Sequence, residues 1–406
     1  MADHRLVAAP HAERILIMPP APRPLHVLHI VEATLTGTRR HVTDLVLHAT
    51  PAVLPALAFS NTRVDREFTN SLAAFKARGI ALVEVPMYRV FKPLQNFRAG
   101  LRLRAHISRT RPQIVHTHGA IAGIIGRWAA ARARVPVIVH TPNAWPFLAT
   151  GEWLLRSLYR GLERWAAQSS DAIICVSDHE RQLGLSYRIA PPEKLTLIPN
   201  GADLSAVHGD RTTARTLLGL PSDALVFGSV TRFAHQKDPL GLIAALIPIA
   251  ARFPHFHLVM VGEGPLLAAA GELVARHRAE GQIHLTGFRT DATALLFGFD
   301  AFLLSSRYEG LAYGVLEAMA AGLPIITTAG GNEQAVQQGV NGLVVPVDDR
   351  TALQTAVTTL LQDHHRRRSF GQQSRVRVQQ FTVGGMVEKT EALYRRLVEK
   401  KGLLLE

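Results

Sequence analysis

Short apolar runs rich in β-branched residues alternate along this chain with longer amphipathic stretches, and few folds accommodate that order. Parallel strands buried on both faces read as continuous apolar runs, and each pair needs a helix-sized crossover between its members. Leu25–Val31 opens the series as a strand, followed by helix Arg39–His48 and strand Leu54–Phe59. Helix Val64–Arg78, strand Ile80–Pro86, helix Phe97–Arg109 and strand Ile114–Thr117 continue it. Helix Ala120–Ala133, strand Val137–His140, helix Gly151–Gln168 and strand Ala172–Ser177 follow, and the series closes near Leu195–Pro199. A second series opens with strand Val226–Val230 and helix Asp238–Phe253. Its later strands are His257–Val261, Ile283–Thr286, Ala301–Leu304, Leu323–Thr327 and Gly342–Val345. Between the two series, Asn200–Pro221 is rich in Gly, Asp and Thr and reads as a linker.

The pattern predicts an α/β chain of two doubly wound, Rossmann-like domains. Ligands of such sheets bind beyond the carboxyl ends of the strands, so the two domains are expected to face each other across a cleft. The expected divisions are a flexible tail over 1–24, with prolines at 10, 19, 20, 22 and 24, a first domain over 25–203 and a second over 204–380. Residues 381–406 hold a last helix, about Met386–Lys400, set apart by Phe381-Thr382-Val383-Gly384-Gly385.

With 47% hydrophobic and 19% charged residues in 406, a large core is available and global disorder is excluded. The net charge of +13 points to an anionic partner. Nucleic acid is disfavoured, because no binding module is recognisable and aromatics make up only 6%. Cys175 is the only cysteine, lies in an apolar run and reads as core, which fits a reducing cytoplasm. No apolar run reaches the ~20 residues needed to span a bilayer. Asp3 and Glu13 argue against a secretory signal in the first 24 residues.

Chemistry concentrates in the second series. In Ser305-Ser306-Arg307-Tyr308-Glu309-Gly310-Leu311-Ala312-Tyr313-Gly314-Val315-Leu316-Glu317, two glutamates stand eight apart. Glu309 follows a strand, and Glu317 is expected in the first turn of a helix ending at Gly322. Gly310 and Gly314 carry no side chains, so backbone N–H groups at the helix start can approach an anion closely. In Gly228-Ser229-Val230-Thr231-Arg232-Phe233-Ala234-His235-Gln236-Lys237, a strand ends in a loop with Arg232 and Lys237 five apart. Arg forks onto two phosphate oxygens and Lys adds a compact charge, a combination suited to a diphosphate.

These segments resemble the paired-glutamate motif of glycosyltransferase family 4. This retaining family includes sucrose synthase and many bacterial polysaccharide and lipid mannosyl- and glucosyltransferases. The resemblance extends from about residue 25 over nearly the whole chain. It implies the GT-B fold, with the donor nucleotide held by the second domain and a C-terminal helix returning to the first. It implies that Arg232 and Lys237 hold the donor diphosphate, Glu309 the sugar and Glu317 the ribose, with Gly228 and Tyr313 inside the same two motifs. Loops bearing Gly262, Glu263 and Phe288 flank the base in similar enzymes. Gly37 and Thr38 match a glycine loop near donor and acceptor, where the family often has two adjacent glycines and this chain has one. Arg39 and His118 fall on the acceptor side. A His in the segment Val139-His140-Thr141-Pro142-Asn143 contacts the transferred sugar in relatives, so His140 and Asn143 are both candidates.

The reading is therefore a retaining hexosyltransferase using a UDP- or GDP-sugar. No Asp-x-Asp is present to hold a divalent ion to a diphosphate, so no metal or other cofactor is expected. A nucleotide-sugar epimerase of the same fold and a basic, non-enzymatic binding protein are the alternatives, and Arg232, Lys237, Glu309 and Glu317 together favour transfer. From Val85 to Gly151 there is no Asp or Glu, while Arg89, Lys92, Arg98, Arg102, Arg104, Arg109, Arg111, Arg127, Arg132 and Arg134 lie there. Each cation near an anionic leaflet contributes roughly 1 kcal/mol. The expected setting is peripheral, on the inner face of the cell membrane, with a glycan or lipid-linked acceptor. The oligomeric state is left open.

Overall fold

The computed structural model describes residues 23–89, 92–221 and 223–403. The tail expected over 1–24 lies outside the described residues except for its last two. In the first domain the chain runs β1 (Leu25–Val31), α1 (Thr36–Leu47), β2 (Val53–Phe59), α2 (Arg66–Ala77), β3 (Ala81–Glu84), α3 (Pro93–Thr110) and β4 (Ile114–His118). It continues with α4 (Ala120–Arg132), β5 (Val137–Thr141), α5 (Trp153–Ala167), β6 (Ala172–Cys175), α6 (Asp178–Ser186) and β7 (Leu195–Leu197). The seven strands pair in parallel in the order β3-β2-β1-β4-β5-β6-β7.

The second domain begins with α7 (Arg211–Leu218), β8 (Leu225–Val230), α8 (Pro239–Arg252), β9 (Phe256–Val261), α9 (Leu267–Arg276) and β10 (Ile283–Gly287). Next come α10 (Ala292–Leu295), β11 (Ala301–Leu304), α11 (Tyr313–Ala320), β12 (Ile325–Thr328), β13 (Gly342–Val345), α12 (Arg350–Gln362) and α13 (His364–Val378). Its six parallel strands run β10-β9-β8-β11-β12-β13. Strand order reverses between β1 and β4 and between β8 and β11. A doubly wound sheet opens its binding crevice at such a reversal.

Alternate residues of each first-sheet strand point to opposite faces. Leu28 and Ile30, with Val115 and Ile138, pack under α3 and α4. Leu25, Val27, Ile114 and Val137 face the other way and are covered by α14 (Val383–Lys400) through Met386, Leu393, Tyr394 and Val398. The C-terminal helix thus returns to the first domain. The Tyr394 hydroxyl lies 2.6 Å from His116 Nδ1, and Glu391 accepts the Thr50 N–H at 2.9 Å. A backbone bridge between Ala202 and Thr382 starts the return. Thr382 caps α14 by accepting the Gly385 N–H, so the helix begins three residues earlier than expected.

Several helices go beyond those expected from the sequence, among them α9, α10 and α13 of the second domain. The expected linker Asn200–Pro221 contains α7, capped by Asp210 and closed by Gly219 in the left-handed region. Arg215 on α7 pairs with Asp300 at 2.7 Å, which fixes the segment to the second domain. Helix α6 was not foreseen. It is short and polar, and its start is set by Ser177 accepting the Glu180 N–H at 3.1 Å. Among the described residues no helix is long and apolar enough to cross a membrane.

Candidate active site

One cleft lies between the domains. Thr36, Gly37, Thr38, Asn143, Ala144, Val176 and Asn200 line it from the first domain. The second contributes Thr231, Arg232, Gln236, Lys237, Glu309, Gly310, Tyr313 and Gly314. Nine of the residues singled out from sequence therefore meet there: Gly37, Thr38, Asn143, Arg232, Lys237, Glu309, Gly310, Tyr313 and Gly314.

Glu309 sits in the loop between β11 and α11 and is buried. Its carboxylate pairs with the Lys237 ammonium and accepts the Ser306 hydroxyl at 2.5 Å. Lys237 ends a short 3-10 turn, His235–Lys237, on the loop after β8. Gln236 ties the two loops together, donating from Nε2 to the Tyr308 carbonyl at 3.0 Å. The N-terminus of α11 has no side-chain cap, and its first residues, Tyr313 and Gly314, line the cleft. Unpaired N–H groups and the positive end of the helix dipole thus face the same space as Lys237 and Arg232. Asn332 steadies this helix start by accepting the Ala312 N–H at 3.0 Å.

Arg232 is exposed on the cleft wall, and among the described residues no carboxylate pairs with it. Partial burial, then the like charges of Arg63 and Arg89, lower its pKa. Those two arginines come from loops of the first domain, so cations from both domains converge. Neither was picked out from sequence as a site residue, because only the fold brings them to Arg232.

The first-domain wall depends on residues that sequence reasoning passed over. Thr36 begins α1 with φ 52°, a left-handed conformation uncommon for a residue other than glycine. Asp65 offsets the strain, accepting the Thr36 N–H at 3.0 Å and Arg39 Nε at 3.1 Å. Gly37 and Thr38 accordingly lie in the first turn of α1 rather than in a loop before it. Asn143 and Ala144 also take positive φ, 53° and 78°. Buried Glu180 holds them, accepting the Ala144 N–H at 2.6 Å and the Val176 N–H at 2.7 Å. Burial raises its pKa to about 7 against those hydrogen bonds.

Other candidates fall away from the cleft lining. His140 is fully buried beneath β5, with Nδ1 2.9 Å from Thr117 Oγ1 and Nε2 3.9 Å from Glu163. Gly123 on α4 makes room for its ring. Of the pair His140 and Asn143, only Asn143 reaches the cleft. His118 is buried in a group with His29 and His116 whose ring nitrogens lie within 4.8 Å of one another. His29 Nδ1 and His118 Nε2 are 3.1 Å apart, and both His116 nitrogens are engaged by Tyr394 and Thr141. Burial lowers the pKa of all three. Arg39 is drawn to Asp65 and Glu67 at the α1–α2 junction and does not line the cleft.

Gly228 lies within β8, where a Cβ would stand 2.0 Å from the Phe299 ring. Gly262, at φ 142°, would place a Cβ 1.9 Å from the Thr231 carbonyl oxygen. Both glycines serve packing, and neither lines the cleft. Glu263 and Phe288 are exposed on loops outside the lining. Glu317 lies in the second turn of α11, not the first. It pairs across the domain boundary with Arg40 of α1, which lies over the Tyr313 ring at 5.2 Å from its centroid. Burial works to lower the Arg40 pKa, but Glu317 and Asp44 together hold it raised.

Residues 20–206 match the family model for Glycosyltransferase Family 4, and residues 210–377 match that for Glycosyl transferases group 1. The chain belongs to glycosyltransferase family 4. Among its relatives is the Escherichia coli UDP-Gal:alpha-D-GlcNAc-diphosphoundecaprenol alpha-1,3-galactosyltransferase, 29% identical over 66% of this chain and 72% of the relative. A D-inositol 3-phosphate glycosyltransferase of Mycobacterium leprae is 30% identical over 70% of this chain and 69% of its own length. In fold, the family 4 chain is similar to Anabaena Alr3699/HepE solved with UDP. That structure has a TM-score of 0.76 at 16% identity and covers 92% of this chain and 100% of that one. It is likewise similar to the sucrose-phosphate synthase of Thermosynechococcus elongatus, with a TM-score of 0.76 at 20% identity over 92% of this chain and 100% of that one. These likenesses identify a glycosyltransferase with the GT-B architecture.

Proposed function

We propose that this glycosyltransferase moves a hexose, with retention of configuration and without a metal ion, from a nucleotide diphosphate sugar to a lipid-linked saccharide at the cytoplasmic face of the membrane. The carrying observation is the convergence of Arg232, Lys237 and the uncapped start of α11 on one cleft beside Glu309. Breaking the anomeric bond builds charge on the leaving diphosphate. Fixed cations and N–H dipoles in a cleft stabilise that charge without reorganising. Lys237 exchanges its Glu309 contact for a phosphate oxygen, which frees Glu309 to accept from a sugar hydroxyl. Asn143 meets the sugar from the opposite wall, and Glu317 serves the ribose through the carboxylate oxygen that Arg40 leaves open. In the retaining course, the acceptor attacks from the leaving-group face and a phosphate oxygen takes its proton.

A uridine donor is favoured, guanosine being the second choice, because one relative is named for UDP-Gal and one structural neighbour was solved with UDP. The acceptor named for the same relative, a diphosphoundecaprenol-linked GlcNAc, supports a lipid-linked saccharide. Arg89, close enough to lower the Arg232 pKa, suits the phosphates of such an acceptor, while Arg63 is engaged by Glu32 at 3.2 Å. A panel of UDP- and GDP-sugars, scored for nucleotide diphosphate release with and without extracted lipid acceptors, tests the reading. Release is expected with one donor class, stimulated by lipid extract and unchanged in excess chelator. Chelator inhibition reversed by magnesium or manganese overturns the metal-independent part. Release indifferent to every acceptor overturns the lipid-linked one.

A further inference from the structure

Helix α5 carries its apolar stripe on the outside. Leu154, Leu158, Leu162 and Trp165 recur at helical spacing along one side, while Glu163, Ala166 and Ala167 take the buried side. Leu154 is 63% exposed, Leu158 52% and Trp165 49%, and Trp153 at the helix start reaches 72%. Helix α3 repeats the arrangement. Its Leu103 and Ile107 are buried, whereas Leu94, Phe97 and Leu101 face outward at helical spacing. Of fourteen exposed large hydrophobic side chains among the described residues, eight lie on these two helices, so the exposure is concentrated rather than scattered.

The two helices share one face of the molecule. Both pack against α4 on the side of the first sheet opposite α14. Each follows a parallel strand, so each starts at the carboxyl edge of the sheet, where the cleft opens. Leu94, Phe97, Trp153 and Leu154 therefore form the rim nearest the cleft mouth. Basic charge dominates this face, against the exposed acid Glu152 at the N-cap of α5. Arg98, Arg102, Arg104 and Arg109 are exposed on α3, and Arg164 on α5. Neither α3 nor α4 contains an acid, and Glu163 of α5 is buried against Arg127 at 2.6 Å.

We infer that this face is an interfacial membrane anchor, with α5 and the first turns of α3 inserting apolar side chains into an anionic bilayer while the arginines meet its headgroups. Outward leucine and tryptophan flanked by arginine is the composition of a helix lying in the membrane interface. A second copy of the chain fits less well, because two such faces would bring like charges together. The inference deepens the proposed function by naming the surface through which the enzyme meets the bilayer of its acceptor. It adds insertion to the attraction expected from basic charge alone. It also places the cleft mouth at the level of the headgroups.

The full chain is tested on phosphatidylcholine vesicles with and without phosphatidylglycerol, at low and high salt. Three of the four tryptophans, Trp128, Trp153 and Trp165, lie on this face, and Trp145 is buried. Vesicles are expected to shift the emission to the blue, and brominated acyl chains to quench it. Leu154→Ser with Leu158→Ser is expected to lower partitioning about tenfold or more. Because both positions are exposed, melting temperature and nucleotide diphosphate release with a soluble acceptor stay unchanged. Arg98→Ser with Arg102→Ser weakens binding only to anionic vesicles and flattens its salt dependence. Wild-type partitioning by the leucine double variant overturns the inference, as does emission indifferent to brominated lipid. So does a wild-type dimer, seen by light scattering, that the leucine substitutions dissociate. Vesicle insertion without transfer on any donor would defeat the transferase reading and leave the anchor standing; transfer without insertion would do the reverse.

Discussion

Lys237 and Glu309 each depend on the other, and this sets what their loss should do. Glu309 is buried and takes its charge balance from Lys237 and its remaining hydrogen bond from Ser306. Lys237→Ala removes the compact cation aimed at the diphosphate. Glu309→Ala leaves Lys237 in place without the partner that orients it. Each is expected to lower kcat/KM by about a thousandfold, the scale of losing a preorganised charge-stabilising group. The double variant should be hardly worse than either single one, because the two act as a unit. Circular dichroism and melting would show that both variants stay folded, since neither side chain belongs to a hydrophobic cluster. Turnover near the wild-type level in both variants would remove the central assignment.

At the scale of elements, the loops beyond β8 and β9 behave as one piece. Thr231 donates to the Val261 carbonyl at 2.9 Å, Phe233 to that of Glu263 at 2.9 Å, and Gly262 to that of Gly287 at 2.9 Å. Gly262→Ala would drive a methyl group into the Thr231 carbonyl and impose a backbone conformation that alanine resists. A stability loss of about 2–4 kcal/mol is expected. Donor KM should rise as well, because Thr231 adjoins Arg232. Gly271→Ala in α9, where nothing lies within 4 Å, is the control and should be neutral or stabilising by about 0.5–1 kcal/mol. Equal urea midpoints for the two variants would refute this account. These elements also show what sequence can and cannot reveal. A strand such as Ala301–Leu304 was legible because burial on both faces leaves an uninterrupted apolar run. Helices α6 and α7 were missed because they are short, polar and set by caps. Arg232, Lys237 and Glu309 were legible as local spacings. Asp65, Glu180 and Arg40 act on partners far along the chain, and no local pattern records that. His140 was misplaced for a simpler reason: only the side of β5 it takes separates it from the cleft that Asn143 reaches.

For the whole molecule, the strongest consequence is acid sensitivity. His29, His41, His116, His118 and His140 are all buried in the first domain. Desolvation is the first cause of each depression, taking His29 to about 3 and His41 to about 4, with the other three well below 6.5. Such an imidazole accepts its proton more readily after unfolding. Between its folded value and 6.5 the unfolded chain therefore binds more protons, and stability falls as pH falls. Three carboxyls oppose the trend. Burial raises Glu32, raises Asp44 to about 6 and raises Glu180 to about 7, so over that range the folded chain holds their protons and acid favours it. The depressed imidazoles outnumber these raised carboxyls, and His106, His257 and His284 are lowered by burial as well, so unfolding near pH 5 takes up protons on balance. Stability should therefore be greatest near neutrality and fall from pH 6.5 to 4.5. Urea midpoints at half-unit pH steps check the slope, and proton uptake on unfolding at pH 5 checks its origin. A flat or rising profile on acidification would mean that these imidazoles are not held neutral in the fold. Four of the rings, His29, His41, His116 and His118, sit where β1, β4, α1 and α14 meet, so their protonation loosens the seam that returns the C-terminal helix to the first domain, while His140 lies on the other face of the sheet against α4. Loss of cleft geometry and loss of stability should then coincide on the pH axis.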